Sequence, residues 1–348
     1  MKKIVLLDVH GIVHRAYHAL PDFQTKDGRP TGALYGLSTM LISIIQDLKP
    51  DILIGAYDLP KPTFRHNAYE DYKGTRKKTD ENLIEQLKAS YEIFEAFDIP
   101  VYSKEGYEAD DVLGTLAEKL KKDEKNKIVI ASGDMDILQL VDDKKVQVYT
   151  FKKGVKETIL YDEKAVIEKM GFAPEFIPDY KGLAGDSSDN IPGIPGVGQK
   201  TATILIQAYQ SVENIYKNLK DDEKVFKEKT GLTPRIINLL KEYKEEAYFS
   251  KELAKIRTDV EFEFELQKDS FKEKLDLKKT DEVFKKYEFR VLNDRLKKAL
   301  GLNEKESLGE NKKIEIDERE LKELKLAVTI LNPNLTNPKL EDILKFDN

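Results

Sequence analysis

The stretch Gly106-Tyr107-Glu108-Ala109-Asp110-Asp111-Val112-Leu113-Gly114 places three carboxylates within four residues, directly before an apolar pattern. The apolar residues of 112–120 recur at helical spacing, which predicts a helix with one face in a core. Acidic residues in a first helical turn are stabilised by the exposed N–H groups and the helix dipole. That explains one or two acids, whereas three so close together repel one another unless cations neutralise them. The stretch therefore reads either as a capped helix or as the edge of a cation-binding pocket.

Three short apolar runs elsewhere in the chain each end near an aspartate. Residues 4–7 precede Asp8, residues 52–57 precede Asp58, and residues 128–131 precede Ser132-Gly133-Asp134-Met135-Asp136. Helical patterns at 34–48 and 83–97 separate these runs. Unbroken apolar runs between helices are typical of buried parallel strands, so we expect an α/β domain.

The carboxyl ends of parallel strands open on one edge of a sheet, where ligand crevices form. Each aspartate alone reads as an ordinary cap or turn residue. Together they predict one acidic pocket with seven carboxylates, namely Asp8, Asp58, Glu108, Asp110, Asp111, Asp134 and Asp136. Oxygen-only ligands select hard cations such as Mg²⁺ or Mn²⁺, and two such ions about 4 Å apart suit in-line displacement at phosphorus.

The composition limits the class of protein. A chain of 348 residues has room for two or more domains. It has no cysteine, which excludes disulfides and thiolate sites, and its four histidines look too scattered for a zinc site. The apolar start is too short for a secretory signal and no later run could span a membrane, so we expect a soluble, cytoplasmic protein.

The net charge of −6 argues against a nucleic-acid partner, but the charges are segregated. Residues 61–78 contain six basic residues against two acids, and Tyr69 and Tyr72 lie among them. Arginine and lysine donate to phosphate oxygens, and tyrosine rings can stack on bases. A solvated surface helix would also explain this segment, but its place beside the acidic pocket favours phosphate binding.

The pattern changes beyond Gly171 to helices and turns rich in glycine and proline. Gly185-Asp186-Ser187-Ser188-Asp189-Asn190-Ile191-Pro192 adds two acids in a turn. The next segment, 193–202, opens a helix whose N–H groups and Lys200 could bind a phosphate. A tight turn between two packed helices is the alternative.

Together these segments resemble the 5′-nuclease domain at the N-terminus of bacterial DNA polymerase I, a member of the flap endonuclease superfamily. The resemblance covers about residues 1–300. Its motifs are Pro62-Thr63-Phe64-Arg65-His66, Tyr72-Lys73, Gly106-Tyr107-Glu108-Ala109-Asp110-Asp111, Gly133-Asp134-Met135-Asp136 and Gly185-Asp186-Ser187-Ser188-Asp189-Asn190-Ile191-Pro192-Gly193. Tyr287-Glu288-Phe289-Arg290 is similar to the closing helix of the family.

The resemblance implies an α/β fold with a PIN-like 5′-nuclease core, in which helices flank a central, mostly parallel sheet. The core would span 1–175, with a helical arch at about 60–90. A helical DNA-binding domain with a helix-hairpin-helix motif would span 176–300. Residues 301–348 would form a charged linker and a tail that resembles the start of a 3′–5′ exonuclease-like domain.

The resemblance also implies the site residues. Two metal ions would be held by Asp8, Asp58, Glu108, Asp110, Asp111, Asp134, Asp136, Asp186 and Asp189. The catalytic cations of the arch would be Arg65, Lys73 and Arg76. DNA would be bound by Tyr72, Gly193, Gly196, Gly198, Lys200 and Thr201, with K⁺ at the hairpin.

The implied activity is that of a structure-specific 5′ nuclease, a 5′–3′ exonuclease and flap endonuclease. Its substrates would be DNA with 5′ flaps, nicks or RNA-primed ends, in primer removal and repair, with a polymerase domain in cis or in trans. The chain departs from the family pattern at Val9, where glycine is usual, and at His14, where tyrosine is usual.

Two other functions fit parts of the pattern. A haloacid-dehalogenase-type phosphatase is suggested by Asp134 and Asp136, but the residues that follow, Ile137-Leu138-Gln139, lack the Ser or Thr which that chemistry needs. A non-catalytic DNA-binding module would need losses among the acidic ligands, and all of them are present.

Overall fold

A six-stranded sheet forms the centre of the computed structural model, which describes residues 1–76, 78–143, 145–153 and 157–302. The strands are β1 Lys2–Asp8, β2 Ile52–Ala56, β3 Val101–Tyr102, β4 Asn126–Ala131, β5 Val146–Lys153 and β6 Glu157–Tyr161. Their order is β3-β2-β1-β4-β5-β6, and every neighbouring pair is parallel except β5 and β6. The predicted strands are confirmed as β1, β2 and β4, and so is the mostly parallel α/β fold.

Helices surround this sheet. They are α1 Val9–Ala19, α2 Gly32–Leu48, α3 Phe64–Ala68, α4 Glu81–Ala96, α5 Ala109–Leu120 and α6 Glu163–Met170. The predicted helical patterns correspond to α2 and α4. The carboxylate of Asp80 caps α4 by accepting a hydrogen bond from the backbone N–H of Asn82 at 2.8 Å. Lys49 ends α2 in the left-handed conformation, with φ 47°.

Helices cover both faces of the sheet. Alternate residues of each strand point to opposite faces, so each strand contributes side chains to both cores. Ile4 and Leu6 of β1 pack in the core that contains α5. Val5 and Leu7 pack in the core on the other side, with α1, α2 and α4. All four side chains are fully buried, which explains why β1 reads as a continuous apolar run.

The remaining helices are distributed over both faces. They are α7 Ile177–Ala184, α8 Gln199–Tyr209, α9 Val212–Asp221, α10 Glu223–Thr230, α11 Pro234–Glu242, α12 Lys244–Ala254, α13 Phe271–Lys274, α14 Leu277–Lys286 and α15 Leu292–Ala299. Helices α7–α12 contribute to the core on the α5 side. Helices α13–α15 return to the side of α1 and α2, where Phe271, Phe284 and Leu292 are buried.

The segment predicted to form the closing helix contains a turn. Helix α14 ends at Lys286, Glu288 has φ 60°, and α15 begins at Leu292. A left-handed residue interrupts the helical hydrogen-bond ladder, which separates the two short helices.

By their contacts, residues Met1–Gly301 form one compact unit. The predicted division at residues 175 and 176 stays a prediction. Beyond residue 302, the predicted linker and tail lie outside the described residues. In the part of the chain that the structure describes, none of the helices is long and apolar enough to cross a membrane.

Candidate active site

Asp8 ends the central strand β1 and also caps α1. Its Oδ1 accepts a hydrogen bond from the backbone N–H of Gly11 at 2.8 Å, and its Oδ2 accepts one from the Ser132 hydroxyl at 2.6 Å. A Cβ on Gly11 would lie 2.0 Å from Asp8 Oδ2. Position 11 therefore has no room for a side chain beside the Asp8 carboxylate, while Val9, which follows the aspartate directly, is buried.

The two neighbouring strands bring further aspartates to Asp8. Strand β1 lies between β2 and β4, so Asp58 follows the strand on one side and Asp134 follows the strand on the other. Asp58 Oδ1 accepts a hydrogen bond from the backbone N–H of Ala109 at 2.7 Å, which ties it to the start of α5. Three strand ends thus deliver three carboxylates to one edge, as predicted.

Helix α5 adds Glu108 and Asp110 to the same edge. Glu108 is the N-cap of α5, and Asp110 lies in its first turn. Burial raises the pKa of Asp110, and the charges of Asp134, Asp8 and Asp58 raise it further. The four carboxylates are therefore near enough at this edge for their charges to act on one another.

The pKa of Asp8 follows the same physics. Burial raises it to about 6, and the charges of Asp58 and Asp134 act in the same direction. The hydrogen bonds from Ser132 and Gly11 oppose that rise but do not cancel it. The hydrogen bonds to Asp8 therefore do not fully offset the cost of holding its negative charge in this buried, acidic place.

A second group of carboxylates lies beyond Asp134. Asp136 begins a short 3₁₀ helix, Asp136–Leu140, and its side chain pairs with the Lys181 ammonium of α7. Lys181 also pairs with Asp186, so it bridges the two carboxylates. Burial raises the pKa of Asp136 to about 6, whereas Lys181 and Ser188 outweigh burial and lower that of Asp186 to about 2.

The third group joins Asp189 to the segment that follows α3. Lys73 Nζ lies 2.8 Å from Glu108 Oε1 and 3.8 Å from Asp189 Oδ2. Arg76 Nη2 lies 2.5 Å from Asp189 Oδ1. The backbone N–H of Lys73 donates to the carbonyl of Asp189 at 2.9 Å, and Asn190 Nδ2 donates to the carbonyl of Asp71 at 2.7 Å. The predicted arch cations Lys73 and Arg76 therefore border the pocket.

The structure corrects the placement of Asp111 and Arg65. Asp111 is fully buried, and its two oxygens accept hydrogen bonds from Arg65 Nη1 at 2.7 Å and Nη2 at 2.9 Å. Arg65 also donates to the backbone carbonyls of Leu253 and Lys255. This pair fastens the start of α5 and α3 to the end of α12, so Asp111 faces Arg65 rather than the pocket. Arg65 is a buried, paired cation that reaches the pocket only through Glu108, whose Oε2 lies 3.5 Å from Arg65 Nη1.

The structure also corrects the predicted role of Tyr72. Its side chain is 3% exposed, and its hydroxyl lies 3.2 Å from Glu108 Oε2 and 3.1 Å from Asp189 Oδ2. Burial raises its pKa, and the charges of Glu108 and Asp189 raise it further. The predicted role as a stacking face for DNA does not fit a buried ring, and the hydroxyl instead links two carboxylates of the pocket.

The hairpin between α7 and α8 has a buried half and an exposed half. Gly193 is buried with φ 61°, and a Cβ there would lie 2.2 Å from the backbone nitrogen of Gly185. The prediction that Gly193 contacts DNA therefore does not fit the structure, in which this glycine permits close packing against Gly185. In the exposed half, Gly196, Gly198 and Lys200 are accessible and Thr201 is half-buried. These four residues remain positioned to meet a ligand at the start of α8.

Three residues of the site were missed from the sequence. Ser132 donates to Asp8 and accepts from the backbone N–H of Asp134 at 2.9 Å, so it joins two pocket carboxylates. Lys181 bridges Asp136 and Asp186, and His10 lies beside Asp58. Ser132 stands two residues before Asp134, and that proximity was the available signal.

The donor chemistry of the pocket fits a hard divalent cation. Its side chains offer carboxylate oxygens, and the ion pairs of Lys73, Arg76 and Lys181 go to its rim rather than to Asp8, Asp110 or Asp134. As placed, no three histidine or carboxylate side chains among the described residues are arranged to hold an ion.

Comparisons with known proteins agree with this architecture. Residues 3–171 match the family described as 5′–3′ exonuclease, N-terminal resolvase-like domain, and residues 172–280 match 5′–3′ exonuclease, C-terminal SAM fold. DNA polymerase I of Bacillus subtilis is 42% identical over 263 residues, which cover 75% of this chain and 28% of that protein. The chain therefore spans less than a third of the length of that relative.

A shorter relative is covered more fully. The 5′–3′ exonuclease of Buchnera aphidicola is 39% identical over 256 residues, or 74% of this chain and 82% of that protein. Among solved structures, the bacteriophage T5 D15 flap endonuclease in complex with DNA and metal ions has a TM-score of 0.60 at 19% identity, covering 86% of this chain and 99% of that chain. The phosphatase alternative is thereby set aside. By sequence, fold and the order of its motifs, the chain is a member of the 5′–3′ exonuclease family.

Proposed function

We propose that this chain is a metal-dependent 5′ nuclease that hydrolyses DNA phosphodiesters at 5′ flaps, nicks and RNA-primed ends. The observation that carries the proposal is the acidic pocket at the ends of β1, β2 and β4, bordered by Lys73 and Arg76. Family membership supports it, as does the T5 D15 flap endonuclease, which was crystallised with DNA and metal ions. Primer removal and repair would be its tasks in the cytoplasm, with a polymerase domain in cis or in trans.

The proposed ligands of two ions, Mg²⁺ or Mn²⁺, are eight carboxylates at and around this edge of the sheet. They are Asp8, Asp58, Glu108, Asp110, Asp134, Asp136, Asp186 and Asp189. When bound, such ions supply Lewis-acid polarisation of a phosphoryl oxygen and activation of water at neutral pH. Ser132 holds Asp8 and the Asp134 loop in one arrangement, which keeps two of these ligands oriented.

The proposed role of Lys73 and Arg76 is to bind phosphate at the rim of the pocket. Both side chains now pair with carboxylates, and the Arg76 side chain is 54% exposed. A guanidinium or ammonium that leaves a carboxylate for a phosphate oxygen keeps a charge-assisted hydrogen bond. Each would then stabilise negative charge that develops on the reacting phosphate.

The proposed second contact with DNA is the exposed half of the hairpin. Gly196 and Gly198 leave the backbone accessible, and Lys200 lies in the first turn of α8. A helix start presents N–H groups to a phosphate. A K⁺ ion at this hairpin, implied by the resemblance, completes the proposal.

The test is cleavage of a 5′-flap duplex with Mg²⁺ by the Asp134→Asn/Asp136→Asn variant. We expect its rate to fall on the order of a hundredfold or more, the scale of losing a strong electrostatic stabiliser. Asp269→Asn, which changes an exposed carboxylate away from the pocket, is the matched control and should cleave normally. EDTA should abolish cleavage by the unmodified chain, and added Mg²⁺ should restore it.

Undiminished cleavage by the double variant would refute the assignment of the pocket. Structure-selective binding of flap DNA by the unmodified chain, without metal-dependent cleavage, would instead favour the non-catalytic DNA-binding module.

A further inference from the structure

Three of the four histidines share one face of α1. His10, His14 and His18 are four residues apart, so they lie on successive turns of the helix. The ring centroids of His10 and His14 are 6.1 Å apart, and those of His14 and His18 are 6.2 Å apart. The histidines that look scattered in the sequence therefore form a continuous row, which we call the histidine row.

One end of the histidine row touches the acidic pocket. The Nδ1 edge of His10 faces Asp58, with the backbone nitrogen at 3.4 Å and the carboxylate Oδ2 at 3.7 Å. The edge of the His10 ring also packs against Tyr57, at a centroid distance of 4.6 Å. In this arrangement the backbone N–H of Asp58 donates to Nδ1, so Nε2 carries the ring proton. Nε2 can bind a metal once the ring changes tautomer and Nδ1–H donates to the Asp58 carboxylate.

We propose that His10 and His14 chelate a borderline transition-metal ion such as Cu²⁺, Zn²⁺ or Ni²⁺, at a site beside the carboxylate pocket. Two histidines at positions i and i+4 of a helix are a known metal-binding arrangement, with nitrogen–metal distances of about 2.0–2.1 Å for zinc. Rotation of the two rings brings one nitrogen of each to a common ion, and water fills the remaining positions. Imidazole selects these ions, whereas carboxylates alone select hard ions.

The surroundings favour such a chelate. Metal-ligating histidines usually donate their other ring N–H to a carboxylate, and a small rotation of Asp58 would give His10 that partner. Burial lowers the pKa of His14 to about 4. The His14 imidazole is therefore neutral near pH 7, and its lone pair is available without loss of a proton.

The site has a consequence for the pocket, which rests on the proposed nuclease function. Asp58 serves both the histidine row and the set of carboxylates around Asp8. An ion on His10 and His14 would turn the Asp58 carboxylate towards His10 and away from the pocket. Micromolar Zn²⁺ should then inhibit Mg²⁺-dependent cleavage, and His14→Gln should relieve that inhibition.

The test of the site itself does not depend on cleavage. Cu²⁺ is titrated into the full chain, without a polyhistidine tag, and its electron paramagnetic resonance spectrum is recorded. We expect nitrogen hyperfine splitting from two imidazoles, because the carboxylate pocket supplies oxygen ligands. His14→Gln should remove this signal and weaken binding at least about tenfold, the lower end of the cost of losing even an outer-sphere partner.

His18→Gln is the matched control, since it leaves the pair of His10 and His14 in place and should retain the two-nitrogen signal. The proposal is overturned if the unmodified chain shows no nitrogen splitting, or if His14→Gln retains it. Loss of the signal in His18→Gln with retention in His10→Gln would also overturn it, because the chelate would then lie at the other end of the row. If the two-nitrogen signal is present but no nuclease activity is found, the proposed function fails and the metal site stands.

Discussion

Replacement of Arg65 by methionine tests whether this residue holds the fold together or acts on the substrate. The side chain is 2% exposed, and its guanidinium makes two hydrogen bonds to Asp111, at 2.7 and 2.9 Å. Burial alone would lower the pKa of Arg65, but the hydrogen bonds and charge of Asp111 raise it instead. In Arg65→Met, the Asp111 carboxylate would remain buried without its counter-charge.

The expected loss can be estimated from these contacts. Breaking a buried ion pair by removing one partner costs about 3–5 kcal/mol of the free energy of unfolding. The carbonyls of Leu253 and Lys255 lose their donors as well, at 2.8 and 2.7 Å, so we expect at least about 4 kcal/mol. Typical proteins have a free energy of unfolding of about 5–15 kcal/mol, so a loss of about 4 kcal/mol removes between about a quarter and four-fifths of it.

The assay is urea unfolding, followed by far-UV circular dichroism and by tyrosine fluorescence, since the chain has 16 tyrosines and no tryptophan. With a urea m-value of about 3 kcal/mol/M, a loss of about 4 kcal/mol moves the midpoint down by more than about 1 M. Arg65→Met/Asp111→Leu is the matched control. It should recover part of the loss, because no buried charge is left unpaired.

The outcome separates two roles. If Arg65→Met unfolds within about 1 kcal/mol of the unmodified chain while flap cleavage collapses, then Arg65 acts on the substrate and the structural role is refuted. A destabilised variant whose double mutant is partly restored supports the structural role.

Three further outcomes follow from the site. Ser132→Ala removes the hydroxyl between Asp8 and the Asp134 loop, so the Mg²⁺ concentration for half-maximal cleavage should rise about 10–100-fold, and Ser132→Thr should rescue it. Because burial raises the pKa values of Asp8 and Asp136 to about 6, protons compete with cations below that pH. The Mg²⁺ affinity measured by calorimetry should fall from pH 7 to pH 5, and a constant affinity would count against shared carboxylate ligands. Gly193→Ala should prevent normal folding, since its Cβ would lie 2.2 Å from a backbone nitrogen. Gly198→Ala has open space around its Cβ and should keep the melting temperature of the unmodified chain. Equal melting temperatures for the two variants would disprove the packing role of Gly193.

The sequence by itself determined the three central strands and the aspartates at their ends. Unbroken apolar runs allow few structures other than buried parallel strands, and the carboxyl ends of such strands share one edge. The sequence alone therefore places Asp8, Asp58 and Asp134 together. The outer strands, β3 on one side and β5 and β6 on the other, were missed, since β3 has only two residues and the other two are less uniformly apolar.

Only the tertiary structure decided which of the neighbouring acids face the pocket. Asp110 and Asp111 are adjacent in the chain, but one residue on an α-helix turns the side-chain direction by about 100°. Asp110 therefore meets the strand-end aspartates, whereas Asp111 points to Arg65 and the end of α12. Ser132, Lys181 and His10 likewise acquire their partners through contacts between distant segments, which no local pattern of residues specifies.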